Sequence, residues 1–268
     1  MRAAVQSAFG KYTAIGKVTI KNQVAYIMDF LMRTSFLVII IYVFMQLWGA
    51  TYSGEGRTIA GYTFTQMIWY LIISESITLA TPSLSGRIEE EVKSGDVGYR
   101  LIRPVHYIGY HYSAYLGEVY FRLGVNLLVG FVLGLVVLGF PSFGMGWLGL
   151  LAVSLGSFTV NFLLNLMIAL CAFWIEETRG LEFVYRKLLF TIGGMMMPLD
   201  IFPPLLRRVS EWLPFQTVLY YPAKMAVALD ASELPRMLAT QLGWILLLGA
   251  LALLLYGKGV KKLHVNGG

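Results

Sequence analysis

From Leu123 to Phe140 the chain reads LGVNLLVGFVLGLVVLGF, with no charged residue and with apolar side chains on every face that a helix would present. A helix on a soluble protein needs one polar face toward water, so a run like this belongs to a segment surrounded by lipid or by protein. Further apolar runs lie near 31–50, 61–81, 147–174, 183–197 and 237–256, and the third run extends back to 106. A helix rising 1.5 Å per residue needs roughly 20 residues to cross about 30 Å of hydrocarbon. The chain is 57% hydrophobic and 13% charged, where a soluble domain is about 25% charged. The expectation is an all-α polytopic membrane protein with six transmembrane helices forming a single domain over residues 1–268. A β-barrel would instead show short strands of alternating apolar and polar residues.

The segments between these runs carry the polar information. Residues 3–28 interleave Phe9, Tyr12, Ile15, Val18 and Ile20 with Lys11, Lys17 and Lys21, the pattern of a basic amphipathic helix lying in the headgroup region; a disordered basic tail is the alternative. This segment lacks a compact apolar core with a small-residue cleavage site, so a cleaved signal peptide is not expected. Asp29 and Arg33 are spaced to pair on one helix face. The second run ends at Pro82, which breaks a helix or starts a new one.

The most charged stretch, RIEEEVKSGDVGYRLIRP, follows from Arg87 to Pro104. Leu84, Ile88 and Val92 make one apolar stripe of a short helix over 84–94, and Glu89 and Lys93 can pair on its exposed side. Gly95 suits a left-handed stop. Arg100 and Arg103 then suit lipid phosphates where the chain returns to the membrane at Pro104. Residues 105–122, rich in Tyr and His, read as an aromatic interface belt. Prolines at 198, 203, 204, 214 and 222 predict short broken helices over 198–222. Lys and Arg concentrate in the N-terminal segment, in Arg87 to Pro104, around Arg179, Arg186 and Lys187, and in the tail after Tyr256. Six spans with both termini cytoplasmic satisfy the positive-inside rule.

Little in the chain suggests catalysis. No stretch matches the phosphate-cradling GxxxxGK[ST] loop, so the chain is not expected to hydrolyse ATP. His106, His111 and His264 lack metal-ligand spacing, no metal site is expected, and Cys171 has no partner cysteine. The net charge of +6 is explained by the cytoplasmic bias of basic residues, so no nucleic-acid partner is expected. Glu75 is the one acid well inside a predicted span, where an ionisable group is costly; it is either hydrogen-bonded between helices or a candidate for substrate contact. Glu118 and Arg122 are spaced to pair at the membrane boundary. Gly130 and Gly134 form a GxxxG that permits close helix approach.

Six spans, an amphipathic N-terminal helix, a charged helix between spans two and three and a proline-broken segment before the last span together resemble the permease subunits of type-2 ABC exporters. The local likeness is Val92-Lys93-Ser94-Gly95-Asp96 followed by Tyr99, Leu101, Arg103-Pro104 and Val105, similar to the signature of one bacterial branch of these permeases. The resemblance implies a subunit of the bacterial inner membrane that dimerises with itself or a paralogous permease and binds separate ABC ATPase subunits. ATP and Mg would be held by those partners, and this chain would bind no cofactor. Residues 84–94 would be the coupling helix, with Leu84, Arg87, Ile88, Glu89, Glu90, Glu91, Val92 and Lys93 in ATPase coupling. Gly95, Arg100, Arg103 and Pro104 would form a hinge toward lipid headgroups, and Glu75 and Glu118 are candidates for the substrate pathway. Two other classes stay open on the residues alone. One is an intramembrane lipid-modifying enzyme using Glu75 or His106 and His111; the other is an ion-coupled secondary transporter, for which no internal repeat is visible.

Overall fold

The computed structural model describes residues 2–52, 57–141, 143–175 and 177–266, without the side chains of 2–9, 29 and 263–266. The expected pairing of Asp29 with Arg33 therefore lies outside the described residues. The helices are α1 (Arg2–Ala25), α2 (Ile27–Thr51), α3 (Phe64–Ala80), α4 (Leu84–Lys93), α5 (Asp96–Leu101), α6 (Tyr107–Leu138), α7 (Gly146–Leu170), α8 (Arg179–Ile192), α9 (Pro204–Glu211), α10 (Tyr220–Val227) and α11 (Leu234–Asn266). Among the described residues there is no strand, only an isolated bridge between Ile59 and Tyr62.

Among the described residues, five segments are long and apolar enough to cross a membrane: Phe30–Thr51, Phe64–Lys93, Tyr107–Leu138, Gly146–Phe173 and Leu234–Lys262. The second combines α3 with α4 across a turn at Pro82. Their outward faces carry Phe36, Leu128, Val136, Leu151, Leu246 and Leu254, all exposed, as lipid-facing surfaces require. The interior holds Trp69, Tyr70, Tyr115, Phe158 and Phe162, essentially inaccessible.

Local chemistry sets the helix ends. Thr63 and Gln66 form a capping box that starts α3, satisfying two otherwise unpaired amide groups. Thr81, preceding Pro82, is extended and stops it, as the proline ring demands. α4 ends at Ser94, and Gly95 adopts φ +78°, the left-handed stop expected from the sequence. The GxxxG of α6 is used as well: Gly130 receives Ile72 of α3, and Gly134 receives the Trp69 ring. On the other side of α6, a Cβ on Gly117 would lie 2.7 Å from the Gly16 carbonyl oxygen, so α1 packs backbone to backbone against α6.

The structure corrects the expected element boundaries in two places. The run 183–197 is not one helix. α8 has 14 residues, about 21 Å at 1.5 Å per residue, and the backbone unwinds from Gly193 to Met197, with Gly194 at φ +82°. Paired glycines followed by Pro198 supply the reason. The basic C-terminal segment, in turn, is no separate tail, because α11 continues through it to Asn266.

Although α8 is short, residues 182–200 lead from the C-terminal end of α3 back to its N-terminal end. Glu182 accepts hydrogen bonds from Ser83 and Ser85 just beyond the C-terminus of α3. Tyr70 donates to the Gly194 carbonyl, and Ser74 donates to the Met195 carbonyl at 3.1 Å. Asp200 receives the Tyr62 hydroxyl at 2.8 Å, just before the N-terminus of α3. The bundle thus has an α4 end and an opposite end. The opposite end is built from the predicted broken helices, here the turns Leu199–Ile201 and Pro214–Thr217 with α9 and α10.

Candidate functional site

α4 is the centre of the charged end. Its expected apolar stripe is present, but it faces the chain's own bundle: Leu84 and Ile88 are buried and Val92 is half-buried. The expected Glu89–Lys93 pair forms at 2.6 Å, yet Glu89 is buried rather than on the exposed side, because its second carboxylate oxygen accepts the Thr178 amide at 2.8 Å and hydroxyl at 2.7 Å. Glu91 is buried too, with Arg100 at 2.9 Å, the Tyr107 hydroxyl at 2.9 Å and His111 Nε2 at 3.4 Å. Arg87, Glu90 and Lys93 remain exposed. Beyond the left-handed Gly95, Tyr99 and Ile102 project 71% and 82% exposed, beside exposed Arg103 and Pro104.

Each neighbouring element is tied to this helix. Arg87 reaches Glu118 at 2.6 Å, and Glu118 also pairs with Arg122 at 2.5 Å. Arg122 in turn donates to Gln23 of α1 at 3.0 Å. Glu118 is therefore a buried anion between two guanidinium groups at the charged end. Tyr107 stacks on Tyr256 of α11 with an interplanar angle of 10°, and His106, His111 and Tyr110 complete the aromatic cluster expected there. Arg100 lies over the Tyr110 ring. Burial works against its charge, but the contacts with Tyr110 and Glu91 outweigh burial and raise its pKa.

Between the two ends, Asn161 of α7 donates to Thr81 and to the Tyr115 hydroxyl, both at 3.0 Å, and accepts from Tyr185 of α8. Glu75 lies midway along α3, 2% exposed, and its carboxyl has no hydrogen-bond or ion-pair partner among the described residues. At the opposite end Asp200 gathers the hydroxyls of Tyr62 and Tyr220 at 2.8 and 2.9 Å, with Arg207 and Lys224 at 3.6 and 3.7 Å. Burial first, and the Asp200 carboxylate second, push both tyrosine hydroxyls well up from their usual value. No cluster of His, Cys, Asp or Glu suited to a metal ion occurs among the described residues.

The sequence did not point to Thr178, Glu182, Tyr107, Asn161 or Asp200. Their partners are remote in the chain, and no local spacing marks them. Thr178 lies in the charged loop before α8 and Asp200 in the proline-rich segment, so only their neighbourhoods carried a signal.

These features define an all-helical, multi-pass membrane protein with a tethered charged helix at one end and broken helices at the other. Residues 36–267 match the model of a family described as ABC-2 family transporter protein, and the chain belongs to that family. It is a membrane component of a transporter, not itself the catalytic subunit, and the family implies partnership with an ABC ATPase. No curated protein matches the chain.

Proposed function

We propose that this chain is the permease subunit of an ATP-driven exporter, forming the substrate pathway as a dimer in the bacterial cytoplasmic membrane and moved by separate ABC ATPases docked at the α4 end. The observation that carries this reading is α4 itself, a short helix beyond the C-terminus of α3 that turns its apolar stripe, Glu89 and Glu91 into its own bundle while presenting Arg87, Glu90 and Lys93 outward. Such a helix is a rigid handle. The exposed residues, with Tyr99 and Ile102, meet the ATPase, while Leu84, Ile88, Glu89, Glu91 and Val92 hold the handle to the spans.

In this reading residues 179–201 are the remaining crossing, partly helical and partly unwound, which makes six passes with both termini on the α4 side. α1 lies at the cytoplasmic interface, and Arg103 and Pro104 sit at headgroup level with Arg100 behind them. Glu75, enclosed in the bundle of one chain, joins the substrate pathway when the spans move apart. The test is copurification of the detergent-solubilised chain with its ATPase. Charge reversal at Glu90 together with Tyr99→Ser and Ile102→Ser, three exposed positions, should abolish association. Undiminished association of that variant, or a wild-type chain that never captures an ATPase, would overturn the proposal.

A further inference from the structure

Two carboxylates tie α4 and α8 together from opposite sides. Glu89, on α4, accepts both the amide and the hydroxyl of Thr178, the residue that precedes α8. Glu182, in the first turn of α8, accepts the hydroxyls of Ser83 and Ser85 at the start of α4, with Ser83 at 3.2 Å. Hydrogen bonds to an ionised carboxylate are roughly twice as strong as neutral ones. Thr178 and Ser85 are 1% and 0% exposed, so water does not compete for them.

Past its first turn α8 is held at few points, chiefly by Tyr185, which donates to Asn161 of α7 and packs against Phe215. Tyr185 and Leu189 are its buried residues, and Leu181, Phe183, Val184 and Lys187 are exposed. Past Ile192 the chain unwinds through Gly193 and Gly194, then is fixed again where Asp200 meets Tyr62 and Tyr220. An element gripped at one end, pinned on its flank at one tyrosine and followed by a glycine joint can pivot about that pin with its grip.

Building on the permease reading, we propose that Glu89, Thr178, Ser85 and Glu182 form a clamp that makes α8 follow α4, so that a push from the ATPase is delivered to the 179–201 segment and bends it at Gly193–Gly194. These are positioning residues. None is expected to contribute to ATPase attachment, because the clamp lies inside the bundle.

The experiment uses the full chain carrying Thr178→Val and Ser85→Ala, which removes two of the donors, and a control with Thr178→Ser, which keeps the hydroxyl. Without any partner, hydrogen exchange at the Thr178 and Glu182 amides, which donate to Glu89 and to the Thr178 carbonyl, should rise at least about tenfold in the double variant, while α7 and α11 keep wild-type protection. Unchanged exchange at these amides overturns the clamp whatever the partner does. With the ATPase bound, spin labels at Lys187 and Leu155 in a Cys171→Ser background report the α8-to-α7 distance before and after trapping with ATP and vanadate. The wild-type pair should shift on trapping. The double variant should bind the ATPase and hydrolyse ATP normally yet lose more than half of that shift, and Thr178→Ser should retain it. A full shift in the double variant overturns the inference while leaving the permease reading intact. A wild-type chain that binds no ATPase overturns the permease reading, and transmission through the clamp with it.

Discussion

Glu118 and Glu75 are both nearly inaccessible carboxyls on long helices, and their surroundings give them opposite roles. Glu118 is surrounded by Arg87 and Arg122, so its removal leaves two cations facing an empty acceptor. Breaking a fully buried ion pair from one side costs about 3 kcal/mol, and the cost here is smaller because the Arg87 side chain is 43% exposed. Glu118→Ala should lower the melting temperature in detergent clearly, and Glu118→Gln less so because it still accepts hydrogen bonds. Glu75 has no such partner among the described residues, and an isolated ionisable group inside a span is a cost rather than an asset. Glu75→Gln should therefore melt at or above the wild-type temperature; a large loss would mean that the carboxyl is held by contacts a single chain does not provide.

At the scale of elements, the long spans were legible because an apolar run of sufficient length leaves few alternatives, and the ends of α3 and α4 were legible because Pro82 and Gly95 act locally. α8 was not legible as a short helix. Its apolar residues continue past Ile192, and hydropathy does not register that Gly193, Gly194 and Pro198 end the helix although the chain stays buried. The orientation of Glu89 was misjudged for a related reason: spacing identifies Lys93 as its neighbour but cannot reveal Thr178, which arrives from the far side of two spans. In contrast, the GxxxG of α6 was readable as a close-approach surface, and the structure adds which residues use it. Gly134→Leu would drive a side chain into Trp69, and overpacking of this kind costs about 1–3 kcal/mol. Gly124→Leu on the same helix, with open space around it, should be nearly neutral, and comparing the two melting curves checks that the cost is specific to the α3 contact.

For the whole molecule, the charge distribution and the path of residues 182–200 make one topological statement. Under the six-pass reading, Ser94 and Ser232 lie on opposite sides of the membrane, so in a Cys171→Ser background a cysteine at 94 should react with an impermeant thiol reagent only from the cytoplasm, and one at 232 only from outside. Labelling of both from the same side would remove the crossing at 179–201 and leave five.

The regular part of that crossing covers only about 21 Å, against the about 30 Å of a typical hydrocarbon core. A long helix such as α11 meets a change in bilayer thickness by tilting. α8 has no spare turns to tilt, so a thicker bilayer has to be met by the unwound residues between Gly193 and Pro198, which carry the backbone carbonyls bonded to Tyr70 and Ser74. Acyl-chain length thereby acts on the segment that we propose is driven, and the protein's response to lipid should be steepest there: hydrogen exchange at 193–197 should rise as the reconstituting lipid is lengthened, while α11 stays protected.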